Sequence, residues 1–239
     1  MTSHDQAALA SRTTAPATNP AFVNGQDWLA RLAHDLRSPL VAIGYASQIL
    51  RSGRAPPQRT DELFATIERQ TAQLAKLAEE IGDMLLIGRE RFVVRSGHCD
   101  LVAIAREALL DGTSGSIATA TCAGGNAVGV RCDRARLVQL LRHIIKLTGK
   151  RKPGTELPVI EVAAVSGQAH LRVDDSTGAI YRSDSLLFLA HGTEPRDPGV
   201  LSMSDIIARR ILQAHAATLD IGPCTDDRTT TLTLAFPTP

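Results

Sequence analysis

Leu29, Leu36, Ile43 and Leu50 recur at every seventh residue, and Leu32, Pro39 and Ala46 run beside them as a second row. Two rows at that spacing form one apolar stripe on an α-helix, so a helix is expected from near Gln26. RSGRAPPQ (51–58) ends it, because glycine and two prolines interrupt the period. A second helix is expected from about Thr60 to Arg89. Leu63, Leu77 and Met84 form one of its rows, with Gln70 the polar exception, and Ile67, Leu74 and Ile81 form the other. Two long amphipathic helices joined by a short loop make an antiparallel hairpin. One hairpin leaves an apolar side open. Two copies would close it as a four-helix bundle, so a homodimer is expected.

After Arg91 the pattern changes. DLVAIAREALL (100–110), DRARLVQLLRHIIKL (133–147) and SDIIARRILQAHA (204–216) have helical spacing. NAVGVRC (126–132), LPVIEVAAV (157–165), QAHLRVDD (168–175) and TTTLTLAFP (229–237) read as strands, with a turn at Ser166-Gly167. Helices mixed with antiparallel strands predict an α+β chain: a helical hairpin at 25–91, then an α/β sandwich at 92–239, about 145 residues and a normal domain size. Residues 1–24 are rich in Ala, Thr, Ser and Pro and read as a disordered lead-in.

Composition narrows the function classes. Hydrophobic residues make up 44% but aromatics only 3%, so the core must be aliphatic. The net charge of +1 gives no bulk attraction to nucleic acid or an anionic membrane. The basic clusters RKPG (151–154) and RCDRAR (131–136) are short and lack interleaved aromatics, which argues against a nucleic-acid surface. Cys99, Cys122, Cys132 and Cys224 form no C-x-x-C pair, and His98, His170 and His191 are not at metal-ligand spacing, so no metal site is expected. No apolar run approaches the roughly 20 residues of a membrane span, and the N-terminus lacks the form of a secretory signal. A reduced, cytoplasmic setting is expected.

The candidate chemistry lies in HDLRSPL (34–40). At about 100° per residue, His34 sits opposite the apolar stripe, with Ser38, Val41 and Tyr45 continuing its face. Pro39 removes an N–H and crowds the carbonyl of Asp35, so a bend is expected just below the histidine. LAHDLRSPLVAIGYASQIL resembles the phosphoacceptor motif of sensor histidine kinases, H-[DE]-L-R-[TS]-P-L, and the second helix resembles the rest of their dimerisation and phosphotransfer hairpin. The resemblance implies that His34 accepts a phosphoryl group, that Asp35 orients the ring and draws off its proton, and that Ser38 stands where some relatives position water for dephosphorylation. Val41 and Tyr45, from the geometry of that face, are expected to dock a response regulator.

The same family follows its hairpin with an ATP-binding sandwich, and VRCDRARLVQLLRHIIKL resembles its helix D-x-x-R-L-x-Q-[VL]-L-x-N-L-[LI]-x-N-A. Asp133, Arg136, Leu137 and Gln139 match. His143 replaces the first asparagine, and Leu147 replaces the second, which in the family holds magnesium; leucine has no oxygen to offer that ion. DSTGA (175–179) keeps Asp175, the adenine-reading acid, but has Thr177 and Ala179 in place of glycines. In SMSD (202–205), Ser202 and Ser204 replace the glycines of the lid, and Asp205 adds a negative charge where phosphates would sit. His215, at the end of the following helix, is expected to pack without a chemical role.

The resemblance therefore implies a two-component signalling protein with a vestigial nucleotide site. His34 would exchange a phosphoryl group with the aspartate of response regulator receiver domains, with no bound cofactor. ATP and Mg2+ would enter only if the chain is an active kinase with a divergent site. A non-enzymatic partner of a true histidine kinase and a phosphatase acting through Ser38 are the other readings.

Overall fold

A computed structural model describes residues 25–53, 56–110, 120–122, 127–148, 159–175, 183–192, 201–223 and 230–237. The expected lead-in, 1–24, lies outside them.

Helices α1 (Gly25–Arg51) and α2 (Pro57–Gly88) form the hairpin. α1 runs without a break through Pro39. The bend expected there does not interrupt the helix. Pro39 is buried. α1 closes at Gly53, whose φ of +66° is open to glycine at no steric cost. α2 begins at Pro57, three residues earlier than expected. Proline is preorganised for the first helical turn, where its missing N–H costs nothing. Pro39, Ala46, Leu77 and Met84 are buried, while Leu36, Ile43, Leu50, Leu63, Ile67, Leu74 and Ile81 are half-buried. Leu40 and Phe64 remain exposed within one protomer.

The second unit contains β1 (Gly97–Asp100), α3 (Leu101–Leu110), β2 (Ala120–Cys122), β3 (Gly129–Cys132), α4 (Arg134–Thr148), β4 (Val159–Val165), β5 (Gln168–Asp175), α5 (Asp184–His191), α6 (Met203–Ala214), β6 (Thr218–Pro223) and β7 (Thr230–Pro237). A five-stranded sheet runs in the order β2-β4-β5-β7-β6, antiparallel except for the parallel pair β2–β4, and β1 and β3 form a separate antiparallel ribbon. The β4–β5 turn is tight because Ser166 (φ +50°) and Gly167 (φ +77°) both take left-handed backbone, which matches the twist of the strands.

Register makes one face of the sheet apolar. Val162, Leu171, Leu234 and Leu219 align across four strands, and Ile160, Val173, Leu232 and Ile221 form the next row. The residues between them, Glu161, Arg172, Thr233 and Asp220, align on the opposite face. On the apolar face lie Leu101 and Ile104 of α3, Leu137, Leu141 and Ile144 of α4, Leu186 and Leu189 of α5, and Ile207 and Ile211 of α6, all within one buried cluster. Met84 and Ile87 of α2 and Phe92 of the connecting segment belong to that same cluster. The hairpin is thus packed into the sandwich at one end.

β1, β2, α5 and β6 were not expected from the pattern. β1 and β2 are four and three residues long, too short to establish a period. α5 is a run of apolar residues at its centre, SLLFLA, and is held by its caps: the Ser183 hydroxyl accepts from the Leu186 N–H, and left-handed Gly192 closes the C-terminus.

Candidate functional site

His34 projects from the third turn of α1 with its side chain 82% exposed, and its Nδ1 lies 3.3 Å from Asp35 Oδ1. If Nδ1 carries the proton, it donates to that carboxylate and leaves the Nε2 lone pair facing outward. Ser38 is exposed four residues further on, one turn along the same side. Val41 and Tyr45 are 63% and 65% exposed. The helical face read from the sequence is therefore the open face of the hairpin, with a hydroxyl and two apolar groups beside the imidazole.

A second cluster occupies the N-terminus of α6. Asp205 is buried at the third position of the helix and forms a capping box with Ser202. Its Oδ2 accepts from the Ser202 N–H at 2.7 Å, the Ser202 hydroxyl at 2.8 Å and the Ser185 hydroxyl at 3.1 Å. Its Oδ1 accepts from His143 Nε2 at 2.7 Å. Burial alone would raise this carboxyl, but the His143 and Ser202 hydrogen bonds outweigh it and hold it below its ordinary value. His143 is the residue in place of the first family asparagine. Leu147, in place of the second, packs half-buried against the apolar cluster.

Asp133 caps α4, accepting from the N–H groups of Arg136 (3.3 Å) and Arg95 (2.9 Å). Burial opposes its ionisation, and those two backbone donors overcome it, so its carboxyl also lies below the usual value. His215 is buried at the end of α6, where its Nε2 accepts from the Asp133 N–H at 3.0 Å and its Nδ1 donates to the Ile211 carbonyl at 2.8 Å. Both ring nitrogens are thus engaged in packing α6 against α4. Burial pushes the Cys132 thiol up to about 12, so it is not a nucleophile.

Asp175 is the last residue of β5, its backbone opposite Thr230. Its side chain, and Thr177, Gly178 and Ala179, lie outside the described residues. Among the described residues no group of His, Cys, Asp and Glu could hold a metal ion, and no helix is long and apolar enough to cross a membrane. Arg136 and Gln139, which the sequence marked as motif residues, face α2. They bond Asp83 of α2, at 2.5 Å and 3.2 Å. Glu80 and Asp83 were missed. Their signal was present: Leu77, Glu80, Asp83, Met84 and Ile87 fall on one helical face, with carboxylates set among apolar residues.

An outward histidine hydrogen-bonded to the next acid, on a two-helix hairpin packed against a helix-covered mixed sheet, resembles the transmitter core of a histidine kinase. Residues 26–89 match the His Kinase A (phospho-acceptor) domain model, and the hairpin belongs to that domain family. The chain is 25% identical over 175 residues to the sensor protein DivL of Caulobacter vibrioides, an alignment covering 72% of this chain but 22% of DivL. The fold is similar to that of the histidine kinase AdeS of Acinetobacter baumannii, at a TM-score of 0.59 and 18% identity, covering 85% of this chain and 97% of that one. It is also similar to that of the histidine kinase ThkA in its complex with the response regulator TrrA, at a TM-score of 0.53 and 16% identity, covering 90% of this chain and 62% of that one.

Proposed function

We propose that this chain is a histidine phosphotransfer protein of a two-component relay, in which His34 exchanges a phosphoryl group with the aspartyl phosphate of a response regulator and does not take one from ATP. The observation that carries this reading is the Asp205 cluster. A nucleotide's phosphates need free N–H donors at a helix N-terminus, with positive charge or a metal opposite. Here Asp205 supplies the anion, Ser202 and Ser185 are spent on it, and His143 donates to its other oxygen. A phosphate placed there would meet a buried carboxylate. This cluster favours a relay in which His34 takes its phosphoryl group from another protein and not from ATP held with Mg2+.

The transfer itself needs only an exposed nucleophile. Nε2 of His34 attacks the phosphorus of the acyl phosphate; the new N–P bond forms as the P–O bond to the regulator's aspartate breaks, and the aspartate leaves as a carboxylate. The ring gains positive charge, and Asp35, 3.3 Å from Nδ1, stabilises it or takes the Nδ1 proton. The acyl phosphate is already activated, and the receiver domain supplies its own metal. Val41 and Tyr45 provide the apolar surface against which the receiver docks. ThkA, the fold neighbour solved with a response regulator, supports a partner of this class. Asp175 in this reading is a vestige of a nucleotide site. Ser38, exposed one turn from His34, would position water for hydrolysis of the phosphorylated partner.

The test mixes the purified chain with a receiver domain carrying labelled aspartyl phosphate, and separately with labelled ATP and Mg2+. Acid-labile, base-stable label should pass from the receiver to the wild-type chain and not to His34→Ala, and ATP should give none. Label from ATP on His34 would establish an active kinase instead. Signalling in the cell that is unchanged by His34→Ala would establish a non-enzymatic partner of another kinase.

A further inference from the structure

Glu80 and Asp83 are each only 6% exposed, although both are carboxylates on a long surface helix. Buried carboxylates are costly unless paired, and each finds its partners in the sandwich. The Ser204 hydroxyl of α6 donates to Glu80 Oε1 at 2.5 Å, and Lys76, one turn back on α2, lies 3.6 Å from the same oxygen. Arg136 Nη1 of α4 donates to Asp83 Oδ2 at 2.5 Å and to Gln139 Oε1 at 3.0 Å, while Gln139 Nε2 also reaches Asp83 at 3.2 Å. The segment between the two units is tied down at two points. The Arg136 guanidinium lies over the buried Phe92 ring, 4.8 Å from its centroid, and the Arg95 N–H donates to Asp133 at 2.9 Å. Met84, Ile87 and Phe92 seal the contact with apolar packing continuous with the core.

We propose that this contact is a clasp that makes the hairpin and the sandwich one rigid body, with Arg136 as its centre. Units joined by a linker move relative to one another unless the interface is extensive and apolar. Here the interface is apolar at Met84, Ile87 and Phe92, and its polar part is selective: a different posture would strand two buried carboxylates and a guanidinium. The clasp also lies near the acceptor. α1 ends at Arg51 and α2 begins at Pro57, so on an antiparallel hairpin His34 is level with about residue 74, about 9 Å along the bundle from Glu80. The sandwich is therefore a fixed shoulder beside His34, and a docking partner meets a surface of set shape.

The test is amide hydrogen exchange on the full chain, followed by mass spectrometry. In Asp83→Asn combined with Ser204→Ala, exchange across residues 89–96 should rise at least tenfold, while β4, β5 and β7 keep wild-type protection. Exchanging the charges, Asp83→Arg with Arg136→Asp, should restore most of the protection. Wild-type exchange in 89–96 as fast as in the double variant would overturn the clasp. If the double variant loses protection in the strands as well, Ser204→Ala alone carries the test: a smaller rise confined to 89–96 and the start of α6 supports the clasp, and no rise overturns it. The readout involves no phosphoryl group, so its outcome is independent of the relay reading.

Discussion

At the scale of single residues, the chain separates an imidazole available for chemistry from two that are committed to structure. His34 is hydrogen-bonded to Asp35 and faces solvent. His143 and His215 are enclosed, one against Asp205 and the other between Ile211 and Asp133. The His143–Asp205 pair should be expensive to break, because removing one member leaves the other buried without a partner. His143→Ala is expected to lower stability by about 3 kcal/mol in urea unfolding. Acidity should act on the same cluster. Asp205 is held below its ordinary value of 3.8, so its contribution is complete above that value and is lost as pH falls through the lower folded value. Asp205→Asn should be less stable than wild type at pH 7, and the difference between the two should shrink below about pH 4. A series of urea melts against pH reads both effects.

At the scale of elements, termini do much of the specifying. α5 ends where Gly192 turns left-handed at φ +68°, with its N–H on the Phe188 carbonyl. A Cβ there would run into the Arg209 guanidinium, which itself donates to the Leu189 carbonyl. Gly192→Ala is therefore expected to cost about 1–2 kcal/mol from the backbone alone, with further loss from moving Arg209, measured as a lowered thermal midpoint. α1 illustrates the limit of a local rule. Proline in a helix predicts a bend, and α1 stays helical on both sides of the buried Pro39. α6 obeys its rule: Asp205 three residues after Ser202 reads as an opening box, and the box is formed.

At the scale of the molecule, one protomer leaves Leu40 56% and Phe64 53% exposed on a hairpin whose apolar rows are only half covered. A second hairpin would cover them. Wild-type protein should sediment at twice the chain mass at micromolar concentration, and Leu40→Glu should shift it to the monomer, because a carboxylate would have to be desolvated in the bundle. The sandwich packs onto the far end of α2 through Met84 and Ile87, so losing the dimer should leave the sandwich folded.

The local sequence determined the two long helices, the outward His34 beside Asp35, and the strands of the β4–β5 hairpin with its Ser166-Gly167 turn. Each of these rests on a period of 3.6 or 2 residues, or on adjacent residues, and such signals survive without tertiary contacts. The same reading placed a misfitting acid at the start of α6 but could not say what answered its charge. Only the tertiary structure decided that His143, 62 positions away, would pair with it. Tertiary structure also decided that Glu80 and Asp83 would be buried against Ser204 and Arg136, and that the three-residue β2 would become a strand by pairing with β4. The reason is common to all three. The free energy of such contacts comes from a partner distant along the chain, and neither residue carries a mark of the other until folding brings them within hydrogen-bond reach.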